Sequence, residues 1–265
     1  MTFSMKNNLL AVDVGNTSVL FAFFSGRKLV KFRRVAARHY KTRVLSVLRA
    51  HFPLKKISAV VIASVVPPVG SFLKKEIPKK LGLRTLLIGR DIQAPILNKY
   101  KNPKQVGMDR LMNALAAFQK YKKEAIVIDF GTAITFDVVS RKGEYRGGVI
   151  APGIEISLEA LFQRTALLPK TRLLHPKSIL GADTVESIRA GCSFGIGGLC
   201  DRVVDEIKKH EQFKPVVIAT GGYARFMSDY CRSIHKVDPM LTLQGILFTY
   251  QTYQKNSKKF LTKSR

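Results

Sequence analysis

Apolar positions in this chain fall into short β-branched runs alternating with stretches of helical spacing, and one order of runs occurs twice. Leu9-Leu10-Ala11-Val12 leads into Asp13-Val14-Gly15-Asn16-Thr17, after which Val19 to Phe24 is apolar again. Ile126-Val127-Ile128 leads in the same way into Asp129-Phe130-Gly131-Thr132, followed by the largely apolar run Ile134 to Val139. Each unit reads as a buried strand, a tight turn opened by Asp-x-Gly, and a second strand folded back as a hairpin. In the first half, Val44, Leu45, Val47 and Leu48 predict a helix over 42–52. Ile57–Val66 then reads as a strand closed by Pro67-Pro68, followed by a helix over 69–81 and a short strand at 85–88. Residues 91–106, with Pro95, Pro103 and two asparagines, read as an extended loop. Leu111, Ala114, Leu115, Ala117 and Phe118 predict a helix over 109–121. In the second half, helices are expected over 156–164, 185–191 and 195–210, a strand at 216–219 and a closing helix over 241–255. This β–β–α–β–α order in both halves predicts an α/β protein of two lobes, 1–120 and 121–265, sharing the helix at 111–121.

With 265 residues, each lobe can bury a core of its own. No apolar run approaches the roughly 20 residues needed to span a bilayer, so no membrane association is expected. Residues 1–8 are followed by only a short apolar segment that meets Asp13, which argues against a secretion leader. Cys192, Cys200 and Cys231 show no metal spacing, and free thiols in a reducing cytoplasm are expected. The formal net charge is +27, and residues 1–120 contribute +19 of it with 23 basic and 4 acidic side chains. The lysines stand in scattered pairs such as Lys55-Lys56, Lys74-Lys75 and Lys79-Lys80, without a zinc motif, an aromatic RNA-binding sequence or a heptad repeat. That pattern is a solvated surface and argues against a nucleic-acid partner. Against this background, the four acids of residues 1–120 are Asp13, Glu76, Asp91 and Asp109. Asp13 and Asp109 stand in glycine-containing motifs, and carboxylates retained there point to use.

The chemistry of the repeated turn follows from its residues. Glycine lets the backbone approach a ligand closely, and the Asn or Thr after it adds a side-chain donor beside exposed N–H groups. Two such turns, each led by a carboxylate, suit the phosphates of a nucleotide and its metal. Thr220-Gly221-Gly222 again places glycines at the end of a buried strand, as either an ordinary turn or a close approach to a ligand. Asp109 beside Arg110 has two readings: a carboxylate favoured at a helix N-terminus, or a proton acceptor next to an anion-binding guanidinium. Tyr100 could anchor a loop. Thr184 follows Asp183 where a helix cap is the plain explanation.

Taken in order, Asp13-x-Gly-Asn-Thr17, Ala63–Pro67, Asn102-Pro103, Gly107-x-Asp-Arg110, Asp129-x-Gly-Thr132, Gly147–Gly153, Thr220–Gly222 and Asp238–Leu243 closely resemble the type III pantothenate kinases over nearly the whole chain. The resemblance implies two ribonuclease-H-like lobes of the sugar-kinase/actin superfamily, with a nucleotide cleft between them. It implies a cytoplasmic homodimer that transfers phosphate from ATP to pantothenate, the first step towards coenzyme A, with a divalent ion and potassium or ammonium. ATP would be contacted by Asp13, Val14, Gly15, Asn16, Thr17, Ser18, Val19, Leu20, Thr132, Gly221 and Gly222. Pantothenate would meet Tyr100, Gly107, Met108, Asp109, Arg110 and Thr184. Asp109 would be the general base and Asp129 would hold the monovalent cation. A kinase for another small alcohol, or a non-catalytic relative acting as an accessory transcription factor, are the alternatives. The retained Asp13, Asp109 and Asp129 argue against the latter.

Overall fold

The computed structural model describes residues 8–263, with side chains to Ser257. The expectation about a leader therefore concerns residues that, apart from Asn8, lie outside those described. The chain forms two compact units.

The first unit begins with β1 (Asn8–Val14), β2 (Ser18–Ser25) and β3 (Lys28–Ala36), then α1 (Tyr40–His51), β4 (Ala59–Ser64), α2 (Pro67–Leu81) and β5 (Thr85–Leu87). Its strands lie in the order β3-β2-β1-β4-β5. β1 runs antiparallel to β2 and parallel to β4, with Asp13 opposite both Leu20 and Ala63. As a central strand covered on both faces, β1 is apolar almost throughout, as such strands must be. The core on one face joins Val12, Val14, Val19 and Phe21 to Val44 and Leu48 of α1 and to Leu73 and Ile77 of α2.

α3 (Met108–Tyr121) carries the chain from the first unit, which holds residues 101–116, into the second, which holds 117–240 and also 98–100. The second unit contains β6 (Ala125–Phe130), β7 (Ala133–Val139), β8 (Tyr145–Pro152), α4 (Ile154–Arg164), α5 (Thr184–Ala190), α6 (Ile196–Glu211), β9 (Val216–Gly221), α7 (Ala224–Met227) and β10 (Lys236–Val237). A π-helical turn, Gly191–Gly195, joins α5 to α6. The strand order β8-β7-β6-β9-β10 repeats that of the first sheet, antiparallel and parallel pairs included. The repeated Asp-x-Gly turn is thus the visible part of a repeated sheet.

The final helix, α8 (Leu241–Lys263), belongs to the first unit, so the division differs from a single cut after residue 120. The reason is close packing within that unit. Gly245 lies so near the Met112 carbonyl that a side chain there would collide with the backbone of α3. Thr242 donates to Asn113 Oδ1 at 2.7 Å, and Arg84 donates to the Tyr253 hydroxyl at 3.0 Å. α8 also runs past the expected end at 255. Pro67-Pro68 open α2 instead of closing the preceding strand, since proline suits the first helical positions, where no N–H partner is needed.

Candidate active site

In the first unit the C-terminal ends of β1, β4 and β5 and the start of α3 come together. Gly15 N donates to Ser18 O at 3.0 Å, which closes the turn after Asp13 and leaves Asn16 and Thr17 exposed. Val14 and Val19, which flank this turn, are fully buried. Val65 N donates to Val14 O at 3.0 Å. A Cβ placed on Gly107 would lie 3.3 Å from Val65 Cγ1. Val65 therefore links the Asp13 turn to the segment that carries Asp109. Gly89 receives the other side of this segment, its Cβ position 3.1 Å from Met108 Cε.

Gly107 O accepts from Leu111 N at 3.3 Å, which places Gly107 at the mouth of α3 and Asp109 in its first turn. Peptide N–H groups that have no partner within the helix, and the helix dipole there, favour a negative charge. Asp109 Oδ1 accepts from Arg110 N at 2.7 Å. The same oxygen fills the space a Cβ at position 107 would occupy, at 2.5 Å, so the glycine of Gly-x-Asp-Arg makes room for the carboxylate. Burial pushes the half-buried Asp109 carboxyl above the usual carboxylate range, and the Arg110 N–H and guanidinium pull it partly back. A carboxyl so raised is a better proton acceptor than an ordinary aspartate. Arg110 itself is buried.

Asp91, a third acid of this stretch, is structural. It pairs with Lys74 at 2.7 Å and accepts from Leu87 N at 2.7 Å, holding the bend after β5.

In the second unit, Asp129 stands opposite Thr135 on β7 and Thr220 on β9, so both hydroxyl residues flank it on one face. Gly131 N donates to Ala133 O at 3.2 Å, a closure one residue shorter than that at Gly15, and Gly131 and Thr132 are exposed. Gly153 lies directly against the Thr132 carbonyl, with Gly131 O 2.8 Å from its Cβ position. Gly221 has φ +90°, and a Cβ there would collide with Asp129 Oδ1 and stand 2.7 Å from Phe130 O. Its glycine is thus required by the protein itself, whereas Gly222 borders open space. Thr132, Gly131, Gly221 and Asp129 form one group. Thr184 lies elsewhere in the same unit as the first residue of α5, capped by Asp183, whose Oδ1 accepts from Glu186 N at 2.8 Å. Tyr100 joins this unit by lying along β8.

Thr135, Thr220 and Gly153 escaped the sequence reading as site residues. The signal for the threonines was the strand register, visible only once the sheet order is known.

Among the described residues no three His, Cys, Asp or Glu side chains gather as a metal site. One carboxylate with a neighbouring carbonyl and two threonines suits a monovalent cation. A divalent ion would depend on substrate phosphates for most of its ligands, as magnesium commonly does.

The family model of type III pantothenate kinase matches residues 9–206. The chain belongs to the type III pantothenate kinase family. It is 41% identical over 250 residues to the type III pantothenate kinase of Geobacter sulfurreducens, covering 92% of this chain and 98% of that one. With that of Syntrophus aciditrophicus the identity is 42% over 257 residues, at the same coverage. Among solved structures, a ROK family glucokinase from Streptomyces griseus superposes with a TM-score of 0.54 at 11% identity, covering 92% of this chain and 99% of its own. That likeness carries the sugar-kinase fold. In this family member the Asp-x-Gly turns and the Gly-x-Asp-Arg segment thus occur within a chain that matches its relatives almost end to end.

Proposed function

We propose that this protein transfers the γ-phosphoryl group of ATP to the hydroxyl of pantothenate, giving 4′-phosphopantothenate for coenzyme A synthesis. The observation that carries the reading is Asp109, a carboxyl raised by burial at the mouth of α3, with a glycine beside it that makes room for it. Asp109 accepts the hydroxyl proton as that oxygen attacks phosphorus and ADP departs. Arg110 and the peptide groups of Gly107 and Met108 orient pantothenate, an anion, together with Tyr100 and Thr184. The Asp13–Leu20 hairpin turn and Thr132 hold the phosphates of ATP, with Gly221 and Gly222 towards its adenine. Asp129 holds potassium or ammonium, whose charge offsets that of the phosphates, and magnesium arrives with ATP.

The protein acts in the cytoplasm as a homodimer. Supporting the dimer, Ile150, Ile179, Leu180 and Leu167 of the second unit are 60–90% exposed, apolar side chains that a partner subunit would cover. Among the described residues no helix is long and apolar enough to cross a membrane. The test is direct: purified protein with ATP and pantothenate must yield ADP and phosphopantothenate in equal amounts. Absence of product with pantothenate, but turnover with another small alcohol, would redirect the assignment within the superfamily.

A further inference from the structure

The loop between β5 and α3 meets the second sheet at Asn98. Asn98 forms a parallel bridge with Tyr145, and Lys99 N donates to Tyr145 O at 2.9 Å. Through this isolated bridge residues 98–100 lie against the start of β8, and they cluster with that unit. Asn98 Oδ1 accepts from Tyr100 N at 3.0 Å and sets the direction in which the chain turns. The Tyr100 ring then packs beside Tyr145, centroids 6.4 Å apart, and over Gly147.

Beneath this contact lies a buried polar set. Tyr145 is fully buried, and its hydroxyl donates to Asp137 Oδ1 at 3.1 Å. Asp137 is also fully buried, and Thr135 Oγ1 donates to its Oδ2 at 3.3 Å. A buried carboxylate is costly unless its bonds are made, so Asp137 fixes the Tyr145 ring in one place. Gly147 has φ +130°, which bends β8 two residues beyond Tyr145, and its bare Cα leaves the Tyr100 ring 3.6 Å from the Cβ position.

We propose that Tyr145, with Asp137 beneath it, is a positioning residue that holds Tyr100 where it contacts pantothenate. This rests on Tyr100 being a substrate contact. Tyr145 touches no reacting atom in this account. It acts by ordering a loop residue before the substrate arrives, which saves the ordering cost at binding.

The test is a double-mutant cycle read in the pantothenate KM and in pantothenate binding measured by calorimetry. Tyr100→Ala alone examines the substrate contact, and an unchanged KM would remove both that contact and the proposal built on it. Tyr145→Phe keeps the ring and deletes the hydroxyl. It is expected to raise the pantothenate KM about five- to ten-fold, corresponding to about 1–1.4 kcal/mol, with the ATP KM and kcat within about two-fold. In a Tyr100→Ala background the same change should have little further effect. If Tyr100→Ala raises KM but Tyr145→Phe does not, or if the two effects simply multiply, Tyr145 is no more than core packing. Asn98→Ala, in a half-buried loop position, provides a second variant should Tyr145→Phe fail to fold, with the same expected split and the same non-additivity.

Discussion

Gly107→Ala adds one methyl group at the point where the structure leaves no room for it. The new Cβ would lie 2.5 Å from Asp109 Oδ1 and 3.3 Å from Val65 Cγ1. To reach an ordinary contact of about 3.4 Å, the carboxylate must retreat by about 0.9 Å, or rotate away and weaken its 2.7 Å bond from Arg110 N. A displacement of about 1 Å at a reacting group can cost about 10²-fold in rate, equivalent to about 2.7 kcal/mol of barrier. The backbone tolerates the change better. Gly107 precedes α3, where alanine is a poorer cap than glycine by about 1 kcal/mol or less, which for a chain of this size lowers Tm by about 2–4 °C. Single-turnover phosphoryl transfer followed by rapid quenching, paired with a thermal melt, separates the two effects. A roughly 100-fold slower transfer with an ATP KM near wild type is expected. Near-wild-type transfer would show that the carboxylate position is not what the glycine protects. A collapse of the melting transition would show that the segment is a folding element before it is a catalytic one.

Asp109→Asn should lower turnover about 10²–10⁴-fold and raise Tm at neutral pH. An acid whose folded pKa is raised loses stability as pH climbs from its ordinary value through the raised one, and the full penalty applies above it; a lower Tm in the variant would refute that sign. Activity should depend on potassium or ammonium, and equal rates in sodium-only buffer free of ammonium would remove the cation from Asp129. Light scattering should give a dimer mass. kcat/KM for pantothenate should fall with ionic strength at fixed potassium while kcat changes little, because the +19 excess of residues 1–120 attracts anions over about 8–10 Å. Gly15→Ala should raise the ATP KM with Tm preserved, whereas Gly221→Ala should lower Tm by several degrees in a melt, through its φ of +90° and its crowding against Asp129 and Phe130.

Most of the sheet framework was readable because central strands here are continuous apolar runs, as in β1, β4, β6 and β9. The third strand of each sheet was not. β3 carries Lys28, Lys31, Arg33 and Arg34 along an open edge, where charge discourages pairing with another chain and erases the alternation a strand normally shows. β8 is interrupted by Gly147 and Gly148, which read as turn punctuation. Asp91 shows the limit of arguing from scarcity: a carboxylate among many cations had work to do, but the work was an ion pair with Lys74. The place of α8 was unreadable for a different reason, since its tie to α3 is a backbone approach at Gly245 and Met112 between residues more than a hundred positions apart.

The glycines of the candidate site divide on a physical criterion that separates folding from binding. Gly107, Gly153 and Gly221 are each explained from within: another protein atom already fills the space of a side chain. Gly15 and Gly131 are different, since a Cβ on either would make only an ordinary contact, 3.4 Å from Ser18 O and from Asp129 Oδ1 respectively, and Gly222 faces open space. Neither crowding nor a positive φ demands glycine at these three positions. What remains is the outward side, where a missing side chain lets something outside the chain approach the peptide groups. All three lie at the C-terminal ends of the central strands, the end at which open α/β sheets receive their ligands. Gly107 and Gly221 make room for carboxylates and Gly153 for the Thr132 carbonyl, whereas the uncrowded three leave space beside the chain at the strand ends.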